Sequence, residues 1–326
     1  MAGNPSKNRK QSGSKQRTGG HPAGRTKARI RPVAVKPVTL GDWVGASRPR
    51  TLPLAIAPVA IGTGAATLVD GLFHWALALA CLAVAVLLQI GVNFANDYSD
   101  GVRGTDAFRV GPARLTASGR VRPRTVLTVA LVFFALAAVA GILIVVRTGH
   151  WWMLLVGAAC IVAAWFYTGG KRPYGYAGLG EVFVFVFFGL VATVGTTFVQ
   201  VGSVPQEAWF GAVAAGLLAS AVLLANNLRD IDQDRRAGKR TLTVLIGKRA
   251  TQWIFTVFVL VPFVISSFLA LFYPIAWLAL LALLAGIPAI LIVWTYRTSR
   301  ELITCLGLTS LTALGYAGFL FCAFVG

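Results

Sequence analysis

Apolar runs long enough to cross a lipid bilayer recur along the whole of this 326-residue chain. About 30 Å of hydrocarbon needs about 20 apolar residues in a helix. Such runs are read here at roughly 51–69, 74–95, 124–146, 151–168, 180–201, 207–228, 251–272, 274–296 and 303–325. They are continuous rather than alternating, so they are helices and not the strands of a membrane barrel. A hydrophobic fraction of 56% against 13% charged residues leaves no room for an ordinary soluble domain. The expected fold is an all-α polytopic membrane protein with nine transmembrane helices.

The charge of +19 is distributed unevenly. The stretch before the first run, 96–123, 169–179, 229–250 and 297–302 hold or border every Lys and Arg except Arg147. Such a bias puts the N-terminus and these loops on the cytoplasmic side and, with nine spans, the C-terminus outside. Residues 1–40 form a basic tail poor in large apolar side chains, read as disordered and cytoplasmic, held near anionic lipid headgroups. No folded recognition element accompanies its charge, so nucleic acid is not an expected partner. The transmembrane domain is residues 41–326. Cys81, Cys160, Cys305 and Cys322 are scattered in apolar segments, without metal-type spacing and with no disulfide framework.

Acidic residues are scarce, eleven in all, and they gather in two places. NFANDYSDGVRGTD, Asn93 to Asp106, ends the second run; NNLRDIDQDRRAGKR, Asn226 to Arg240, ends the sixth. On a helix, Asn93 and Asp97 share a face, as do Asn96 and Asp100, while Asn226, Asp230 and Asp234 repeat every fourth residue. Each helix end is therefore a ladder of oxygen ligands. Mg²⁺ takes oxygen ligands, keeps several waters, and is commonly held by one or two carboxylates plus substrate phosphates. Two such ladders facing each other across a cavity make a clamp for a metal-bound diphosphate, with two Mg²⁺ ions expected. Solvated helix-capping carboxylates are the plainer explanation of one cluster; two matched clusters in an acid-poor chain speak against it.

Basic residues interleave with these clusters. Arg103, Arg109 and Arg114 follow the first; Arg229, Arg235, Arg236, Lys239 and Arg240 surround the second; Lys171 and Arg172 lie between. Each is either an ordinary loop charge or a donor to diphosphate. Tyr98, Tyr167, Tyr174 and Tyr176 stand near the same ends of the spans. They read as interfacial anchors, with one or two free to offer a ring face to a cation. Glu181 is an acid inside an apparent span, either a functional group or a first-turn cap. His21, His74 and His150 assemble into no nucleophilic triad.

From about Trp43 to the C-terminus the chain resembles the UbiA superfamily of intramembrane prenyltransferases. Within it, the likeness is to the branch that acts on 1,4-dihydroxy-2-naphthoate in menaquinone synthesis. SRPRTLPLA, NFANDYSDGVRGTD, GPARLTASG, YTGGKRPYGYAGLGE and NNLRDIDQDRRAGKRTLTVLIG carry it. Against the superfamily pattern NDxxDxxxD, residues Asn96, Asp97 and Asp100 match, but Gly104 fills the last position and the acid is displaced to Asp106; DxxxD matches at Asp230 and Asp234. The resemblance implies helices around a central cavity that is polar at its cytoplasmic cap, and a polyprenyl diphosphate with its tail in the membrane. It implies Mg²⁺-assisted ionisation of that diphosphate and attack by dihydroxynaphthoate with loss of its carboxylate, giving demethylmenaquinone. Residue by residue it implies Asp97, Asp100, Asp230 and Asp234 as Mg²⁺ ligands and catalytic groups, with Asn93 and Asn96 as helpers. Lys171, Arg229 and Lys239 would bind diphosphate, and Arg114 is a candidate for the naphthoate carboxylate. Arg103, Asp106, Tyr174 and Asn226 complete the expected substrate-binding set.

Other acceptors within the superfamily, such as 4-hydroxybenzoate, haem or a chlorophyllide, are opposed by likeness alone. A transporter of an anionic solute is opposed by placement, because transporter sites favour broken helices at the bilayer midplane. Here the polar residues gather at span ends.

Overall fold

A computed structural model describes residues 37–105 and 114–326 of the chain. The expected tail, apart from its last four residues, and Asp106 lie outside the described residues. The described chain is helical, without a strand among the described residues. It opens with a short helix, α1 (Leu40–Ala46), started by a capping box in which Thr39 and Asp42 satisfy each other's backbone N–H. Nine apolar helices follow. They are α2 (Pro53–Asp70), α3 (Trp75–Arg103), α4 (Pro123–Thr148), α5 (Met153–Phe166), α6 (Gly180–Val201), α7 (Gln206–Arg236), α8 (Leu242–Leu269), α9 (Pro274–Thr295) and α10 (Glu301–Val325).

Eight of these are long and apolar enough to span a bilayer. The exception is α5, expected as a full span over 151–168. Its 14 residues reach about 21 Å at 1.5 Å per residue, short of the hydrocarbon thickness. Trp151, Trp152 and Tyr167 counted towards the run because they are apolar, but they fall in turns. Beyond them Gly170, with φ of 74°, takes the chain out of the helix. In the other direction, α3 and α7 continue past the expected ends at 95 and 228, to Arg103 and Arg236. The Asp-bearing stretches are thus extra turns of two spanning helices. α8 is broken near its start by Gly247, whose φ of 80° and ψ of 172° are not helical.

The main core is formed by α2, α7, α8, α9 and α10. α7 is its axis and its buried face is mostly small residues, alanine with glycine and serine. Lipid tails are as apolar as leucine, so helices in a bilayer associate through close packing of small residues. Gly189 on α6 and Gly216 on α7 show the limit of this. A Cβ on Gly189 would lie 2.6 Å from the Gly216 Cα. The α6 backbone is underwound there, with π-type bonding over Phe185–Val191. A second cluster joins α1, α3, α4 and the segment before α4 through Trp43, Phe94, Leu115 and Phe134. A third, of Val59, Cys81, Ile144 and Val199, joins α3, α4 and α6, away from the Asp-bearing end of α3, to the middle of α2.

Candidate active site

These helices line a cavity of about 630 Å³. Its walls include Asp100 and Cys81, about 28 Å apart along α3 at 1.5 Å per residue. That is close to the full depth of the hydrocarbon. One end is polar, with Asn96 and Asp100 from α3 and Asn226, Asp230 and Asp234 from α7. The remainder is apolar and includes Leu88, Gly141, Val145, Met153 and Phe187.

On α3 the helical pitch divides the expected ligands. Asn93 donates to the Ser47 carbonyl at 2.8 Å, Asn96 accepts from the Thr168 hydroxyl at 2.6 Å, and both line the cavity. Asp100 also lines it and is buried. It accepts a hydrogen bond from the Tyr176 hydroxyl, with Lys239 Nζ at 3.4 Å and Arg114 Nη2 at 4.0 Å. Asp97 does not join them. It is fully buried, and its two oxygens accept the backbone N–H groups of Leu115 and Thr116, each at 2.9 Å. The expected cluster of Asp97 and Asp100 at one ion is therefore separated: the two are three residues apart, but α4 and the segment before it cover the Asp97 side.

On α7, Arg229 forks onto its neighbour Asp230, with Nε to Oδ1 at 2.7 Å and Nη2 to Oδ2 at 2.6 Å, and also donates to Asn226 Oδ1 at 2.9 Å. Bidentate charge-assisted pairs of this kind are the stronger sort of hydrogen bond. Beyond the helix, Gly238 with φ of 72° turns the chain back, and the Lys239 N–H donates to the Asp234 carbonyl at 2.8 Å. That turn places the Lys239 ammonium 3.4 Å from Asp100 and 3.9 Å from Asp234. One buried cation thus joins the two Asp-bearing helix ends. The same ammonium lies 4.5 Å from the centre of the Tyr176 ring, within cation–π range.

The 169–179 loop completes the polar end. Tyr174 donates to the Ala163 carbonyl at 2.8 Å and stacks on Phe183 with ring centres 3.9 Å apart, so its ring, not its hydroxyl, faces the cavity. Tyr176, read from the sequence as an interfacial anchor, holds Asp100. Burial, and then the Asp100 carboxylate, push its phenol above the ordinary tyrosine value, which keeps it a donor. The sign that distinguished it was the YGY turn, Tyr174–Tyr176, directly before the glycine-rich entry to α6. Two expected diphosphate donors are elsewhere. Lys171 is exposed and off the cavity wall. Arg103 donates to the carbonyls of Thr168 and Gly170, fastening the loop to the end of α3. Glu181 is buried behind the wall and accepts from Asn227, which does line the cavity, at 2.9 Å.

Among the described residues, no three of His, Cys, Asp and Glu gather closely enough to cage a metal ion. The cavity offers instead single carboxylates with amide oxygens beside them. That donor set is all oxygen and incomplete, which is what Mg²⁺ takes when a substrate phosphate supplies the rest.

Residues 55–325 match the UbiA prenyltransferase family. The chain belongs to that family. It is 48% identical over 256 residues to the 1,4-dihydroxy-2-naphthoate octaprenyltransferase of Mycobacterium tuberculosis, spanning 78% of this chain and 87% of that one. With the enzyme of the same name from Escherichia coli it shares 40% over 185 residues, 55% of this chain and 60% of that one. A UbiA homologue from Aeropyrum pernix superposes with a TM-score of 0.63 at 18% identity, over 81% of this chain and 96% of that one. A homologue from Archaeoglobus fulgidus, solved with GPP and Mg²⁺, gives 0.59 at 16% identity, over 86% and 99%. These two solved structures establish the fold. The UbiA family and the apolar helices together make the chain a multi-pass membrane protein.

Proposed function

We propose that this protein transfers a polyprenyl group from an allylic polyprenyl diphosphate to 1,4-dihydroxy-2-naphthoate, yielding demethylmenaquinone. The bond from the allylic carbon to the diphosphate oxygen breaks, and a bond to the naphthoate ring forms. Carbon dioxide and the diphosphate leave. The observation that carries this reading is the Lys239 ammonium joining Asp100 to Asp234 at the mouth of an apolar cavity nearly as deep as the hydrocarbon layer. The acceptor follows from the relatives named above.

Asp100 with Asn96, and Asp230 and Asp234 with Asn226, are the residues that would hold Mg²⁺, one ion to each helix end. Mg²⁺ there supplies positive charge to the departing diphosphate. In the structure these carboxylates are already partnered, Asp230 by Arg229 and Asp100 by Lys239 and Tyr176. On entry of diphosphate, Arg229 and Lys239 would turn from carboxylate to phosphate oxygens, which would free these acids to hold Mg²⁺. Desolvated charges therefore exchange partners and are never left bare, which would cost several kcal/mol each. Arg114, 4.0 Å from Asp100, stands at the rim for the naphthoate carboxylate or the second phosphate. The rings of Tyr174, Phe183 and Phe187 wall the apolar cavity directly below the cap. They present π faces to an allylic cation and keep water from it. The distribution of Lys and Arg supports a cap on the cytoplasmic face of the cell membrane, and with α5 crossing alongside the eight longer helices the C-terminus would lie outside.

The test is incubation of membranes containing the protein with a polyprenyl diphosphate, Mg²⁺ and either dihydroxynaphthoate or 4-hydroxybenzoate, with products read by mass. Demethylmenaquinone should form, should stop with EDTA and should return with Mg²⁺. Product from 4-hydroxybenzoate alone would refute the acceptor assignment; turnover insensitive to EDTA would refute the metal assignment.

A further inference from the structure

Asp97 sits in the strongest motif of the chain, yet it has no face on the cavity. Its two carboxylate oxygens are both taken by backbone N–H groups, of Leu115 and Thr116, at 2.9 Å, and the side chain has no exposed surface. A carboxylate that accepts two backbone N–H bonds in a dry site is firmly held. The segment it holds, 114–121, is fastened along its length. Leu115 is buried among Trp43, Phe94 and Phe134. Gly101, one turn further along α3, has no Cβ, and the Thr116 side chain occupies the space where one would stand. At the far end of the segment, Arg120 pairs with Asp42 of α1 at 2.6 Å. At the near end, directly before the two amides Asp97 grips, is Arg114, with its Nη2 4.0 Å from Asp100.

We propose that Asp97 is a positioning residue that fastens segment 114–121 to α3 and so delivers Arg114 to Asp100, and that it is not a metal ligand. Two acids of one motif then divide the work. Asp100 faces the cavity and the substrate, and Asp97 faces the backbone that brings the substrate a cation. The chemistry requires a carboxylate at Asp97. An Asn offers one acceptor and, in place of the second, an amide donor aimed at an N–H. The division also explains the extended motif GPARLTASG: Leu115 fills the core, Thr116 packs over Gly101, and Arg114 gains a fixed origin.

The part of the proposal concerning Arg114 rests on the prenyltransferase reading; the part concerning the backbone does not. Hydrogen exchange on the purified, metal-free protein tests the second. In Asp97→Ala, peptides covering 115–121 should exchange at least tenfold faster, while peptides within α3 and α7 exchange as in the wild type. Asp100→Asn should leave the 115–121 peptides protected. Asp97→Asn, which keeps one acceptor, should fall between, and it serves if Asp97→Ala does not fold. Kinetics test the first part. The Mg²⁺ concentration for half-maximal turnover should move less than twofold in Asp97→Asn and at least tenfold in Asp100→Asn. Arg114→Ala should lower kcat/KM in the wild-type background but by a clearly smaller factor in the Asp97→Asn background, because the interaction is already weakened. Unchanged protection of 115–121 in both Asp97 variants would overturn the fastening. A Mg²⁺ requirement raised in Asp97→Asn as far as in Asp100→Asn would make Asp97 a ligand after all. Independent, multiplying effects of Asp97→Asn and Arg114→Ala would show that Asp97 does not act through Arg114.

Discussion

Replacing Lys239 by Met removes a charge and little volume from the point where the two Asp-bearing helix ends meet. The side chain is 10% exposed, 3.4 Å from Asp100 and 3.9 Å from Asp234. Removing one partner of a buried pair costs about 3–5 kcal/mol when the other charge is left bare. Asp100 keeps the Tyr176 hydroxyl and the Arg114 guanidinium, and Asp234 is partly exposed, so a smaller cost than that, about 2–3 kcal/mol, is expected for the metal-free protein. The kinetic effects have opposite signs. Losing one charge-assisted bond to diphosphate, worth about 1.5–3 kcal/mol, should lower kcat/KM for the polyprenyl diphosphate by about 10- to 150-fold. The two carboxylates, no longer shared with an ammonium, should bind Mg²⁺ more readily, so half-saturation should move to lower Mg²⁺. Titrating Mg²⁺ at fixed donor, and donor at saturating Mg²⁺, in Lys239→Met and wild type measures both. A higher Mg²⁺ requirement together with an unchanged donor KM would refute the partner exchange proposed for this cap.

Three further outcomes follow from other parts of the structure. Arg229→Gln strips Asp230 of its fork and should reduce kcat/KM at least tenfold while far-UV circular dichroism stays unchanged; near-normal turnover would show that Arg229 only neutralises its neighbour. In Gly216→Leu a Cβ would meet the Phe185 carbonyl at 2.9 Å, and overpacking of this kind costs about 1–3 kcal/mol; thermal inactivation in detergent should come several degrees lower, and an unchanged profile would mean that α6 and α7 can separate without cost. The bond to Arg120, followed by those to Thr39, holds the Asp42 carboxyl well below its ordinary 3.8, so its contribution is complete above that value and is lost only as pH falls through the lower, folded value. Trp43 fluorescence should therefore be level from neutral pH down to about 4 and change only in stronger acid, with Arg120→Gln moving the onset up towards 3.8; a transition near pH 6 in the wild type would contradict this.

Much of the site was legible because membrane sequences are so one-sided in composition. Against 56% hydrophobic residues, two groups of Asp and Asn at the ends of apolar runs stand out without any alignment. The structure brings Asn96, Asp100, Asn226, Arg229, Asp230, Asp234 and Lys239 to one cavity wall. Lys171 and Arg103 were misplaced for a common reason. A basic residue in a cytoplasmic loop carries the same sequence signature whether it faces water, grips a carbonyl or waits for phosphate. Tyr176 was undervalued because a tyrosine near a span end is an interfacial anchor in most proteins; only a turn through Gly175 aims its hydroxyl at Asp100.

By itself the sequence determined the solvent, the class of fold and the pairing of acid clusters with span ends, because chain length per bilayer crossing and the cost of charge in hydrocarbon are local properties of each segment. It did not determine which side of each helix faces inward. In water an apolar stripe marks the buried face; in lipid both faces are apolar and only small residues hint at the contact. Asp97 and Asp100 show the consequence. Three residues apart, they pass for one ligand pair on a helix surface, yet packing against the segment before α4 turns one to backbone amides and leaves the other to the cavity. The meeting of α3 with α7 through Lys239 likewise came from tertiary structure alone, since it depends on a left-handed turn at Gly238 and on two helices separated by more than 100 residues packing side by side around one cavity.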